Sequence, residues 1–186
     1  MSAITGIFLR NRDQISPEQI KKMNECLNHR GPDGSSIWNE GSVGLGHQML
    51  FTTPESLYEK LPFEEDDLII TAEARIDNRK ELSELLEIKD DIKNSDSYFI
   101  LKAYEKWGED CPDKLLGDFV FAIWDKSKEK LFCARDHLGI KPLYYYMNEE
   151  MFLFSTEMKA IFTFLGFKPS INDDKLAQTL VYVFEG

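Results

Sequence analysis

The tightest constraint on this chain lies between Phe119 and Ser155, where four strand-like runs follow one another with almost no connecting chain. The runs are Phe119 to Asp125, Lys130 to Arg135, Leu143 to Met147 and Met151 to Ser155. The short turns between them contain Lys126-Ser127-Lys128, Leu138-Gly139 and Asn148-Glu149. Connections this short cannot hold a crossover helix, so they predict antiparallel pairing throughout the block. Val120-Phe121-Ala122-Ile123 and Leu131-Phe132-Cys133 are apolar at successive positions rather than at alternate ones. A strand of that kind needs cover on both faces, which predicts sheets sandwiched between other layers.

The remaining chain can supply those layers. Ile4 to Leu9 reads as a buried strand. Ser16-Pro17-Glu18-Gln19 opens a helix, with Ser16 as cap, Pro17 at the first helical position and Gln19 completing a capping box. Ile20, Met23 and Leu27 give it an apolar face. Ile37-Trp38 and Val43 to Leu50 read as two strands joined at Glu40-Gly41, and Thr53 to Glu65 as an irregular loop. Leu68 to Ile76 returns to strand, and Asn78 to Leu82 starts a short helix. Ser95 caps a helix running to Trp107, with Phe99, Ala103 and Trp107 at helical spacing. Further helices are expected over Glu157 to Leu165 and Asp173 to Val183. Roughly eight short strands with interspersed helices make an α+β domain.

Charge narrows the partners. Asp and Glu number 33 against 22 Lys and Arg, for a formal charge of −11, with clusters at Glu64-Glu65-Asp66-Asp67 and Asp90-Asp91. That balance argues against a nucleic-acid backbone as partner. The apolar runs are strand-sized, well short of the roughly 20 residues of a membrane helix. The amino terminus lacks the basic and apolar regions of a secretory signal, so a cytoplasmic protein with no membrane partner is expected. Cys26, Cys111 and Cys133 form no CxxC pair, and His29, His47 and His137 lie far apart, so no metal site is expected.

Several segments, in order, resemble class II glutamine amidotransferases of the asparagine synthetase family. They are Arg30-Gly31-Pro32-Asp33-Gly34, Leu45-Gly46-His47, Ser95-Asp96 and the stretch from Leu116-Gly117-Asp118-Phe119 to Trp124-Asp125. Ala134-Arg135-Asp136, Gly139-Ile140-Lys141-Pro142-Leu143-Tyr144-Tyr145 and Phe154-Ser155-Thr156-Glu157-Met158-Lys159-Ala160 continue the match. The resemblance implies a four-layer αββα Ntn-hydrolase sandwich of two antiparallel sheets. It places an amidotransferase-like domain at residues 1–170 and the start of a connection at 171–186. The expected partner is a carboxy-terminal synthetase domain that uses ATP and Mg²⁺; no cofactor is expected in this chain.

The same resemblance defines a glutamine site and shows how far this chain departs from it. The family exposes a cysteine after methionine removal and uses its α-amine as base, whereas this chain begins Met1-Ser2-Ala3-Ile4. Ser2 occupies the nucleophile position; it is either a hydroxyl nucleophile or simply a small residue opening a strand. The family arginine that pairs with the glutamine carboxylate is replaced by Met49, which offers neither charge nor a fork of donors. Glu73 and Ala74 stand where the family's oxyanion asparagine and its glycine stand, and a carboxylate at Glu73 would repel an oxyanion. Asp96 survives, at the position that holds the substrate amine, with a second use at a helix start. Arg135-Asp136, Lys141-Pro142 and Cys133 read as parts that hold the fold, and Tyr144-Tyr145-Tyr146 as packing.

The expected function is a glutaminase-inactive amidotransferase-like domain of an ATP-dependent amide ligase. The pattern Thr71 to Arg79 resembles asparagine-synthetase homologues of the macrolactam and lasso-peptide cyclase kind, which implies a peptide substrate. A working glutaminase feeding an asparagine synthetase, and a stand-alone binding or regulatory module, are the alternatives.

Overall fold

Alternate residues of the same strands serve two different cores, and this explains the doubly apolar sequence runs. The computed structural model describes residues 1–89, 92–167 and 170–180. One sheet has the order β2 (Gly34–Glu40), β3 (Val43–Met49), β1 (Ala3–Leu9), β9 (Met151–Ser155), β8 (Tyr144–Met147). The second has the order β4 (Phe63–Glu65), β5 (Leu68–Ile76), β6 (Gly117–Asp125), β7 (Lys130–Arg135). Every pairing is antiparallel. In β6, Phe119, Phe121 and Ile123 join the core under α2 (Arg79–Leu86) and α3 (Asp96–Trp107). Val120, Ala122 and Trp124 instead meet Ile4, Leu45 and Phe154 between the sheets. Ala3, Ile7 and Leu9 of β1 face outward, against Ile20 and Met23 of α1 (Pro17–Glu25) and Ala160 and Ile161 of α4 (Met158–Leu165). The layers are therefore helix, sheet, sheet, helix, as the period-two geometry of strands covered on both faces requires.

Local chemistry sets the element ends. The Gln19 side chain accepts the Ser16 N–H at 2.8 Å, closing one half of the capping box at α1. Leu27 is buried, but in the turn after α1 rather than on it. The Ser95 hydroxyl accepts the Tyr98 N–H at the start of α3. Gly41 turns the β2–β3 hairpin with φ of +55°, a conformation glycine adopts without strain.

Two expectations from the sequence are corrected. Strands β7 and β8 do not pair: β7 ends one sheet at Arg135 and β8 begins in the other at Tyr144. The short connection is a crossover between layers because Asp136, 4% exposed, gathers it into a knot. Its carboxylate accepts the N–H groups of Ile140 at 2.8 Å and Lys141 at 2.9 Å, while its own N–H donates to the Phe119 carbonyl at 2.7 Å. The segment 53–65, expected to be irregular, contains a 3-10 turn at Glu55–Tyr58 and the short edge strand β4, giving nine strands among the described residues.

Smaller differences follow from edges. Tyr146 packs against the outer core, but Tyr144 and Tyr145 lie exposed on the edge strand, Tyr145 stacking on Phe152 with centroids 6.0 Å apart. Cys133, on the other edge strand, is half-buried against the inter-sheet core. The helix α5 (Asp173–Leu180) buries none of its residues. The Asp90-Asp91 cluster, the end of the expected last helix at Val183 and the end of the expected connection at 186 lie outside the described residues. Among the described residues no helix is long and apolar enough to cross a membrane.

Close packing across β1 gives a direct test. A Cβ added at Gly6 would sit 2.1 Å from Cε1 of Phe154, the fully buried ring on the paired strand. Gly6→Ala is expected to cost about 1–3 kcal/mol by overpacking. Urea denaturation checks it: the midpoint should fall with the slope unchanged, and an unchanged midpoint would mean the ring moves aside freely.

Candidate functional site

The two sheets part at one end to leave a cavity of about 130 Å³. Its walls include Ser2 just ahead of β1, Met49 at the end of β3, Glu73 and Ala74 of β5, and Asp96 at the start of α3. All five residues singled out in the sequence thus meet in one place, although they span 95 positions of chain from Ser2 to Asp96. Edge geometry makes the opening. Strand β4 pairs with β5 only at Leu68, Ile69 and Ile70, so the edge of β5 beyond Ile70 lacks a strand neighbour among the described residues.

Each of these groups already has a protein partner or none of the needed chemistry. The Ser2 hydroxyl, 9% exposed, accepts the Leu50 N–H at 3.0 Å and lies 3.4 Å from the Leu50 carbonyl, so the backbone of one residue holds it. Met49 is 7% exposed and belongs to the apolar core beside Leu61 and Ala72. Asp96 accepts from Arg79 Nη1 at 2.6 Å and from the Ile76 N–H at 3.1 Å. Burial pushes the Asp96 carboxyl above its ordinary value, with the Arg79 bond pulling the other way. Arg79 also donates to the Asn94 carbonyl at 2.8 Å and lies over the Phe99 ring at 4.6 Å, so it is built into the wall.

Glu73 corrects the electrostatic expectation. Its Oε1 accepts from Lys141 Nζ at 2.8 Å, and both side chains are largely buried, at 5% and 15% exposure. The carboxylate is therefore not a bare charge facing the nucleophile position. Lys141 in turn is not only a fold-holding residue: the Asp136 knot fixes its backbone while its ammonium reaches into the cavity. Sequence reasoning also missed Glu59, which accepts the hydroxyl proton of Ser97 and whose carboxyl burial pushes up. Glu59 lies in a segment without apolar periodicity and Arg79 at a helix start, and neither carries a sequence signal of its own. Lys141 could have been suspected from Glu73, since a buried carboxylate requires a counter-charge.

With this geometry in view, comparison with known proteins decides the family. The model of the glutamine amidotransferase domain matches residues 1–185. The chain belongs to the glutamine amidotransferase domain family. Asparagine synthetase [glutamine-hydrolyzing] 3 of Bacillus subtilis is 32% identical, covering 96% of this chain and 30% of the relative. Asparagine synthetase [glutamine-hydrolyzing] 1 of the same organism is 37% identical, covering 87% of this chain and 26% of the relative. This amidotransferase-family chain thus spans about a quarter to a third of the length of these relatives. Among solved structures, glutamine phosphoribosylpyrophosphate amidotransferase from B. subtilis superposes with a TM-score of 0.69 at 18% identity, over 88% of this chain and 43% of that one. That likeness is one of fold, and it matches the layered αββα arrangement.

Proposed function

We propose that this chain is the amino-terminal, glutaminase-inactive domain of an asparagine-synthetase-like, ATP-dependent amide ligase. The observation that carries it is the state of the cavity wall: Met49 is packed into the core, Glu73 is tied to Lys141, and Asp96 is tied to Arg79. In the family the corresponding groups grip the carboxylate, the oxyanion and the amine of glutamine. Losing one oxyanion donor alone costs about 10²–10³ in rate, and here the carboxylate grip is absent as well. Relatives three to four times longer than this chain support a synthetase domain as its partner, and ATP and Mg²⁺ chemistry belongs there. Among the described residues no group of three or more His, Cys, Asp or Glu is placed to hold a metal ion. The same losses support a ligase of the macrolactam or peptide-cyclase kind, in which a peptide substrate supplies its own amine.

The test is glutamine hydrolysis. Protein lacking Met1, verified by intact mass so that Ser2 carries a free α-amine, is expected to release no glutamate above background. Turnover that disappears in Ser2→Ala would establish a serine glutaminase and overturn the reading.

A further inference from the structure

The sheets also part at their other end. Ser2 precedes β1 and Phe8 lies near its end, so the two openings are about 20 Å apart along the strand. The far one is a cavity of about 390 Å³, walled by Phe8, Arg10, Arg12, Ser42, Trp124 and Glu129. That volume suits a small organic molecule. Trp124 is the most buried donor in the wall. It is 8% exposed, and that remnant faces this cavity. An indole N–H is a donor only, and a buried one usually finds an acceptor. Trp38 does so, donating to Glu64 at 3.0 Å. Trp124 Nε1 meets no acceptor among the described residues, yet it is not one of the fully enclosed unpartnered atoms, so it opens to the cavity. Arg10 shares that wall. Its Nη1 donates to the Asn148 carbonyl at 3.0 Å, and the guanidinium forms no ion pair among the described residues. In a chain of net charge −11, an unpaired guanidinium and an unpaired indole N–H in one wall make a donor set without an acceptor.

We propose that this far cavity binds a small organic monocarboxylate with an apolar body, held by the Arg10 guanidinium and the Trp124 N–H. The inference is independent of the glutaminase-inactive reading, because none of these residues lines the other cavity. An ionised carboxylate offers acceptors and no donor, which matches a guanidinium fork and an indole N–H. The Ser42 hydroxyl, without a partner among the described residues, adds a further donor. The apolar body meets the rings of Phe8 and Trp124, whose centroids lie 5.4 Å apart with planes tilted by 47°. The remaining charges limit the ligand to one negative charge. Arg12 is paired with Glu129 at 2.7 Å, and Glu129 itself lines the cavity. A second negative charge would meet that carboxylate, which disfavours a phosphate dianion. The Arg12–Glu129 pair is 80% and 66% exposed, and such a pair is weak. Glu129 therefore tempers the positive charge of the rim without cancelling it.

The experiment is a titration of the whole chain at pH 7 and constant ionic strength, followed by the indole N–H resonances of Trp38, Trp107 and Trp124 in an NMR spectrum. The probes are phenylacetate, 2-phenylethylammonium and inorganic phosphate. Trp124→Phe keeps an aromatic ring in the core and identifies the Trp124 resonance by its loss. Phenylacetate is expected to move that resonance saturably and to leave those of Trp38 and Trp107 in place. The ammonium, with a similar apolar body and the opposite charge, should move none of them. Arg10→Gln should weaken phenylacetate binding about tenfold or more, the loss of a charge-assisted contact. Glu129→Gln releases Arg12 and should tighten it about threefold or more. The two variants alter exposed side chains and move affinity in opposite directions, so a general loss of folding cannot imitate the pattern. A Trp124 resonance that phenylacetate leaves in place, or equal affinity in wild type and both variants, overturns the proposal. Saturable movement with phosphate and none with phenylacetate overturns the carboxylate assignment.

Discussion

Lowering the pH from 7 to 5 is expected to remove about 2 kcal/mol of folding stability through a single residue, His47, with a ceiling of about 5 kcal/mol by pH 3. The ring is 1% exposed, lies between the sheets 3.4 Å from the Thr71 hydroxyl, and leaves Nε2 without a partner. Burial alone pulls its pKa from 6.5 to about 3, because no carboxylate faces it to support the charged form. The unfolded chain therefore takes up a proton near pH 6.5 that the folded chain refuses until about pH 3. Since the folded value is the depressed one, the stabilisation is complete above the unfolded pKa and is lost as pH falls toward the folded pKa. Glu157, held down to about 2 by Arg30, Lys159 and His29 against its burial, adds its own loss only below the ordinary carboxylate range. Glu59 and Asp96, whose carboxyls burial raises, shift stability in the opposite direction as pH falls, so it is the comparison with His47→Gln that isolates the His47 contribution. Urea titrations at intervals of pH should show the loss in wild type and its absence in His47→Gln. Equal slopes in the two proteins would mean that the ring protonates in the folded state.

The two hairpins β6–β7 and β8–β9, the helix caps at Ser16 and Ser95, and strand β5 were readable in the sequence because local chemistry fixes them. Each depends on residues within one element or one turn: apolar periodicity, a capping hydroxyl, a short polar connection. The crossover at 136–143 was not readable. Leu138-Gly139 looks like any hairpin turn, and what redirects the chain is the Asp136 carboxylate closing on Ile140 and Lys141 while its amide binds Phe119. That arrangement needs β6 already in place, a tertiary condition that no window of sequence contains. Strand β4 was hidden for a related reason: three residues on an edge carry too little pattern, and pairing with Leu68–Ile70 defines them. The site divides along the same line. The order of the family segments led to Ser2, Met49, Glu73, Ala74 and Asp96, and these residues line one cavity. The charges that change what those residues can do, Lys141 on Glu73 and Arg79 on Asp96, come from 68 and 17 positions away.

Replacing Ser2 by cysteine, even with Met1 removed, is expected to yield no glutamate above background. The substitution supplies a better nucleophile near neutral pH, yet nothing in the cavity then holds the substrate against it. Met49 lies in the core with Leu61 and Ala72 and cannot pair with a glutamine carboxylate. Glu73 presents a carboxylate, itself committed to Lys141, where a donor to the oxyanion is needed. Groups that act as a unit in catalysis are strongly non-additive, so restoring one of several recovers almost none of the rate. Hydrolysis is expected first in the combination of Ser2→Cys, Met49→Arg, Glu73→Asn and Ala74→Gly. Even that variant should turn over slowly, for two reasons visible in the structure. The new guanidinium must enter a site where Met49 is 7% exposed, and Asp96 stays in the grip of Arg79 rather than free for the substrate amine. A glutamate-release assay across the single and combined variants reads the whole series. Robust hydrolysis by the single Ser2→Cys variant would show that Met49 and Glu73 do not occupy the substrate-binding positions, and that an intact glutamine pocket lies elsewhere along the cavity wall.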